Sequence, residues 1–99
     1  MKLNNLPERI KLQLIRVLSH EPSVSRAMLF GSRARGDARE GSDIDIALFG
    51  NNIPLFINTR LRDSAGLYKL DIVHYHHCDN ELLKQNILQD GIEIYRKST

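Results

Sequence analysis

The sequence predicts an α/β fold in which several helices pack on one small β-sheet. Two patterns support this fold class. Apolar residues recur with a helical period over residues 7–19, whereas polar and apolar residues alternate with a strand period over residues 43–49. Further short apolar runs predict three more strands, separated by helical segments, so that the predicted order is α-β-α-β-α-β-α-β. Chains with alternating elements of this kind bury their helices against one shared sheet.

The first predicted helix begins near Pro7, a residue that suits a first helical turn, and ends before the Glu-Pro-Ser sequence of residues 21–23. One face of this helix carries four apolar residues: Ile10, Leu14, Val17 and Leu18. Residues 27–30 form an apolar run that is closed by Gly31 and that indicates a buried strand. Residues 32–36 then predict a short helix with Ser32 as its N-cap.

The second predicted strand, residues 43–49, has two different faces. Ile44, Ile46 and Leu48 lie on an apolar face, and Asp43 and Asp45 lie on an acidic one. After it come a helix over residues 54–65, a strand over 69–75, a helix over 79–89 and a strand over 92–95. Possible core positions of the 54–65 helix are Leu55, Ile57 and Leu61. Asp79 is the predicted N-cap of the 79–89 helix, and Gly91 its stop.

Composition excludes several classes of protein. The 99 residues predict a single domain, residues 1–99, and 41% apolar with 26% charged residues is ordinary for a globular chain. A net charge of +2 gives no strong nucleic-acid signal. No apolar stretch is long enough to span or enter a membrane, and the N-terminus lacks the apolar run of a signal peptide. Cys78 is the only cysteine, which fits a reducing compartment, so we expect a cytoplasmic protein.

Asp43 and Asp45 are the first candidate site residues. Two residues apart on a strand, they point the same way, and two carboxylates on one face repel each other unless a positive charge lies between them. A hard divalent cation with oxygen ligands is a natural partner. The alternative interpretation is a pair of solvated acids on an exposed sheet face.

Gly31 and Ser32 directly follow the first predicted strand. A glycine lets the backbone approach a ligand closely, and the amides that open a short helix can donate to phosphate oxygens together with the Ser32 hydroxyl. Taken alone, the pair is better explained as a capped turn. Arg35 is the favoured phosphate contact of the neighbouring basic residues, because Arg33, two positions earlier on a helix, cannot face the same ligand. Arg39 is expected to pair with Asp37 or Glu40.

Asp71 interrupts an otherwise apolar strand, where a carboxylate is costly unless it is paired, metal-bound or at a sheet edge. If its strand lies beside that of Asp43 and Asp45, three carboxylates converge, enough to hold two Mg²⁺ ions. His74 and His76 would share a strand face within the sequence His74-Tyr75-His76-His77-Cys78, which raises a zinc alternative. A polar strand end or a partner contact is the favoured interpretation, since no second ligand pair follows.

The spacing of Gly31-Ser32, ten residues, Asp43-Ile44-Asp45 and a later Asp71 resembles the nucleotidyltransferase superfamily of DNA polymerase β. The sequence from Gly31 to Arg39, followed by residues 42–47, is similar to its minimal MNT branch. The resemblance implies a nucleotidyltransferase fold with a small mixed sheet. It also implies that Gly31 and Ser32 hold the triphosphate, that Asp43 and Asp45 bind both metals, and that Asp71 binds the catalytic metal and helps to deprotonate the acceptor.

The resemblance further implies a substrate and a partner. MNT proteins accompany all-helical HEPN toxins and can transfer AMP from ATP to a tyrosine of that toxin, so we expect an antitoxin acting in a hetero-oligomer. Two other functions remain open. The chain could neutralise a partner by covering its surface without catalysis, or it could modify a small molecule such as an aminoglycoside.

Overall fold

A computed structural model describes residues 6–39 and 41–98 of the chain. The helices are α1 (Glu8–Ser19), α2 (Ser32–Arg35), α3 (Phe56–Ser64) and α4 (Glu81–Asp90). The strands are β1 (Val24–Phe30), β2 (Ile44–Gly50), β3 (Leu70–His74) and β4 (Ile92–Arg96), and a 3₁₀ turn spans Tyr75–His77. The order of helices and strands is the predicted one, and the α/β fold class is confirmed.

The four strands form one mixed sheet in the order β3-β2-β1-β4. Strand β1 is antiparallel to both β2 and β4, whereas β2 and β3 run parallel. Parallel neighbours need a crossover connection, and here the chain between β2 and β3 forms α3. Strand β3 therefore lies at one edge of the sheet, beside β2.

One face of the sheet is covered by α1 and α3. The predicted apolar face of β2, formed by Ile44, Ile46 and Leu48, is buried there. From the helices, Ile10, Leu14 and Leu18 of α1 and Ile57 and Leu61 of α3 pack against it. Burial of each such side chain contributes about 1.5–3 kcal/mol, so this layer is the main stabilising element of the fold.

On the opposite face of the sheet, α4 covers the end of β2 but not its beginning. Toward the end of β2, Ala47 and Phe49 are buried together with Ile87 of α4, and the Tyr75 ring stacks on the Phe49 ring at 4.4 Å between centroids. The prediction that this face of β2 is acidic therefore holds only for its beginning. Asp45 precedes the part of the strand that α4 covers, and it is only half-buried.

Three predicted helix positions are wrong in detail. The N-cap of α2 is Gly31 rather than Ser32, which is the first helical residue. Leu55, a predicted core position, precedes α3 and is 75% exposed, because the buried face of that helix begins at Ile57. The N-cap of α4 is Asn80 rather than Asp79, since the Asn80 side chain accepts a hydrogen bond from the Leu83 amide at 3.1 Å.

Strand boundaries also differ from those predicted. Strand β1 begins at Val24, three residues earlier than the apolar run, because the backbone of Val24 and Arg26 pairs with β2 on either side of a register shift at Ser25. Strand β3 ends at His74, and the chain then turns. None of the helices in the described residues is long and apolar enough to cross a membrane.

The cap of α4 can be tested by removing it. Asn80→Ala leaves the Leu83 amide without its acceptor, so we expect the free energy of unfolding to fall by about 1 kcal/mol in urea denaturation. Asp79→Ala is the matched control and should change it by less than about 0.5 kcal/mol. A larger loss for Asp79→Ala than for Asn80→Ala would contradict the cap assignment.

Candidate active site

Strand pairing brings the candidate acidic residues to one edge of the sheet. Phe30, the last residue of β1, pairs with Asp45, and Asp45 in turn pairs with Asp71 of the parallel strand β3. The turn at Gly31 therefore lies on one side of Asp45 and Asp71 lies on the other. Neighbouring residues in register project to the same face of a sheet, so Asp45 and Asp71 share a face, and Asp43 precedes Asp45 by two positions.

The electrostatics of Asp45 reflect this crowding. Its pKa is raised from the ordinary 3.8 to about 6, first by burial and then by the charges of Asp71 and Asp43. The guanidinium groups of Arg35 and Arg33 act in the opposite direction without cancelling the effect. The carboxylates of Asp71 and Asp43 thus lie close enough to disfavour the ionised form of Asp45, a situation that a bound divalent cation would relieve.

The donor set fits a hard cation, although its geometry is not preassembled. In the stretches that the structure describes, no group of three His, Cys, Asp or Glu side chains already stands in a metal-holding arrangement. Asp71 is exposed, so its carboxylate can change rotamer toward Asp45 and Asp43, which are half-buried. Carboxylate oxygens are the ligands that Mg²⁺ prefers, and these three residues could therefore hold it.

Gly31 is packed directly against the acidic cluster. Its φ of 76° lies in the left-handed region, and a Cβ there would collide with the Asp45 carboxylate, coming within 3.1 Å of its carboxyl carbon. Only glycine fits both constraints. The Ala34 and Arg35 amides donate to the Gly31 carbonyl at 3.1 and 3.0 Å, which closes the turn that begins α2 beside Asp45.

Arg33 has a structural position that the sequence did not reveal. It is only 7% exposed, and its Nε and Nη2 donate to the Ser42 carbonyl at 3.1 and 2.8 Å. The guanidinium also lies 5.3 Å from the centre of the Tyr68 ring. Arg33 thereby ties α2 to the residue that precedes Asp43. A basic residue in a short helix carries no sequence signal for such a role, because Ser42 and Tyr68 are distant in the chain.

Arg35, the favoured phosphate contact, remains at the surface. Its Nε lies 3.4 Å from the Asp37 carboxylate, a weak exposed pair, and its charge reaches Asp45. Within the described residues, the ion pair of Asp37 is with Arg35 and not with Arg39. The alternative partner of Arg39, Glu40, lies outside the described residues; the Arg39 amide donates to Ser42 Oγ at 2.8 Å.

The histidine sequence lies at the opposite end of β3. His74 Nε2 is 2.8 Å from Asn58 Oδ1, and burial, followed by the charge of His77, lowers the pKa of His74. His76 belongs to the 3₁₀ turn, so it does not continue the strand face of His74 as the zinc alternative requires. His74, His77 and Cys78 instead contribute to the wall of a largely apolar cavity of about 560 Å³.

Comparison with known proteins agrees with this geometry. The family described as "Polymerase beta, Nucleotidyltransferase" matches residues 12–99. The chain belongs to this family and is therefore an enzyme of the nucleotidyltransferase class. It is 34% identical, over 89 residues, to a protein of Methanocaldococcus jannaschii named "Putative protein adenylyltransferase MJ0435", with 86% of this chain and 94% of that protein covered.

Solved structures share the fold. A structure described as a "putative minimal nucleotidyltransferase" superposes with a TM-score of 0.66 and 28% identity, and the match covers 91% of this chain and 95% of that one. A toxin–antitoxin structure with AMP-PNP gives a TM-score of 0.71 at 22% identity, covering 89% and 74% of the two chains. A further toxin–antitoxin structure, MntA-HpeT, gives 0.72 at the same identity. The nucleotidyltransferase fold is thus confirmed.

The raised pKa of Asp45 predicts a pH-dependent stability. Between 3.8 and about 6 the unfolded state loses the proton first, so ionisation of Asp45 destabilises the folded state as pH rises through this window. Asp45→Asn removes the penalty. In EDTA, we expect its unfolding free energy to exceed that of the unsubstituted protein by about 1 kcal/mol near pH 8, allowing for solvent screening, with the difference shrinking toward about pH 4.

Urea denaturation across this pH range measures the difference, and Asp63→Asn, an exposed substitution on α3, is the matched control. An Asp45→Asn difference that does not change with pH would contradict the raised pKa of Asp45 in the folded state.

The bonds of Arg33 predict a second effect on stability. Arg33→Lys keeps the charge but cannot place two donors on the Ser42 carbonyl, so we expect the unfolding free energy to fall by about 1–2 kcal/mol. Arg35→Lys, on the same helix but exposed, should change it by less than about 0.5 kcal/mol. Equal urea midpoints for the two variants would contradict the structural role of Arg33.

Proposed function

We propose that this chain transfers AMP from ATP to a hydroxyl of a partner protein in a Mg²⁺-dependent reaction, as the antitoxin of a HEPN/MNT pair. The observation that carries the proposal is the pairing of Asp45 with Asp71 beside the Gly31 turn. The name of the M. jannaschii relative supports a protein acceptor, and the toxin–antitoxin structures support a toxin partner and a hetero-oligomer. Because the reaction consumes ATP, we assign it to the cytoplasm.

In this proposal, each candidate residue has a separate task. Asp43, Asp45 and Asp71 would hold two Mg²⁺ ions, which when bound neutralise the triphosphate and stabilise the attacking and leaving oxygens. Gly31 and Ser32 would bind the triphosphate through backbone amides and a hydroxyl, and Arg35 would swing from Asp37 onto a phosphate.

Asp71 would also accept the proton of the acceptor hydroxyl. The acceptor oxygen then forms a bond to the α-phosphorus while the bond to the β-phosphate oxygen breaks, and pyrophosphate leaves. Asp71 suits the task of base because it is the most exposed of the three acids, so that an approaching hydroxyl can reach it without displacing α4.

The transfer can be tested with labelled ATP, Mg²⁺ and a HEPN-type all-helical protein that is co-expressed and purified as a complex with this chain. We expect label on the partner and a loss of at least about 100-fold in Asp45→Asn, because that variant removes a charge from the proposed metal cluster. Asp63→Asn should label normally. An unlabelled partner in a folded complex would contradict catalysis. If the Asp45→Asn variant still neutralises the partner, the chain acts instead as a non-catalytic binding module.

Nucleotide binding can be tested without a partner. Because a ligand bound only by the folded state stabilises it, Mg²⁺ with ATP at about 100 times its dissociation constant should raise the melting temperature by about 10–20 °C. Asp43→Ala should abolish this shift and still fold, and Asp63→Asn should retain it. An undiminished shift of the melting temperature in Asp43→Ala would show that the metal binds elsewhere.

A further inference from the structure

A pocket opens beside Asp71 at the free edge of β3. Its volume is about 560 Å³, and it is lined by residues of α3, of the α3–β3 connection and of β3, together with the residue before β2: Asp43, Arg62, Gly66, Tyr68, Lys69, Leu70 and Asp71. A smaller depression of about 380 Å³ shares Asp43, Tyr68 and Lys69 with it, so the two are continuous. Of the residues discussed for nucleotide binding, this pocket contains only the two carboxylates at its inner end.

The pocket beside Asp71 and the turn at Gly31 lie on opposite sides of Asp45. In the order β3-β2-β1, the Gly31 turn follows β1, whereas Asp71 belongs to β3 on the far side of Asp45. An in-line displacement requires the attacking and leaving oxygens on opposite sides of the phosphorus. If pyrophosphate leaves on the side of the Gly31 turn, the acceptor must enter from the β3 side, where this pocket lies.

Two basic side chains flank that entrance. Arg62 Nε donates to the Leu70 carbonyl at 3.4 Å, which holds the guanidinium along the start of β3, and Lys69 is exposed beside it. Within residues 6–39 and 41–98, the ion pairs involve other residues, so neither cation pairs with Asp43 or Asp71 despite lining the same pocket. Their charges are therefore available to an incoming group.

Tyr68 gives the pocket a fixed wall. It is half-buried, and its ring faces the Arg33 guanidinium, which is itself held by the Ser42 carbonyl. Gly66 leaves the opposite rim open, since no atom lies within 4 Å of where its Cβ would be. The pocket thus combines an ordered aromatic surface, two cations and access from solvent, with a proposed general base at its inner end.

We propose that this Arg62–Lys69 pocket is the acceptor site and that it selects a protein segment in which carboxylates flank the reactive hydroxyl. The inference rests on the proposed function and specifies its substrate. Arg62 and Lys69 contact the acidic side chains of the acceptor, Tyr68 packs against its carbon skeleton, and Asp71 takes the hydroxyl proton. Opposite charges across such a surface select the partner and orient it.

The test uses three peptides of equal length with a central tyrosine flanked by glutamates, by serines or by lysines. Binding is measured by fluorescence anisotropy with Mg²⁺ and α,β-methylene-ATP, which cannot release pyrophosphate. We expect the glutamate peptide to bind at least about tenfold more tightly than the lysine peptide, a difference typical of two exposed charge contacts. The double variant R62A/K69A should lose this preference while its affinity for the nucleotide analogue stays unchanged.

The matched control is R9A/R60A, which removes two exposed positive charges from α1 and α3 outside the pocket and should keep the preference. Equal binding of the three peptides would overturn the inference. So would a loss of affinity for the nucleotide analogue in R62A/K69A, because the two cations would then serve the triphosphate.

The same peptides with labelled ATP separate this inference from the proposed function. Equal labelling of all three peptides would support AMP transfer and overturn the acidic preference. Selective binding of the glutamate peptide without any labelling, of peptide or partner, would support the pocket as a recognition site and overturn the proposed transfer.

Discussion

The parallel pairing of β2 with β3 is the constraint on which the rest of the site depends. Because the crossover through α3 returns the chain in the same direction, Asp71 enters the sheet level with Asp45. A shift of one residue in this register would turn Asp71 toward the core layer of α1 and α3. The burial of Leu70, the residue before it, on that layer opposes such a shift, so the apolar core sets the position of a polar side chain.

The ionised form of Asp45 is energetically unfavourable in the folded protein. Burial and two neighbouring carboxylates disfavour the charged form of Asp45, and the two nearby arginines offset this only in part. Arg33 has a second effect through its bonds to the Ser42 carbonyl, which connect the turn after β1 with the residue before Asp43. Parts of the site that lie on different elements are thereby held together, while the ionised form of Asp45 stays unfavourable.

Much of the fold could be predicted because its signals are local. The helical period of α1 and the alternation of β2 are properties of adjacent residues, and both elements appear with boundaries within a residue of those predicted. The prediction was wrong where two adjacent residues could serve equally well, as with Asp79 and Asn80. It was also wrong for Leu55, which precedes α3 and lies outside the buried face of that helix.

The sequence by itself determined the Gly31-Ser32 turn and the closeness of Asp43 to Asp45, because both depend on backbone conformation over a few neighbouring residues. Only the tertiary structure decided that Asp71 lies beside Asp45 and that Arg33 is buried under Ser42 and Tyr68. It also decided that Arg62 and Lys69 border a pocket next to the acids. These contacts join residues distant in the chain, and they follow from strand register and helix packing, which no short segment specifies.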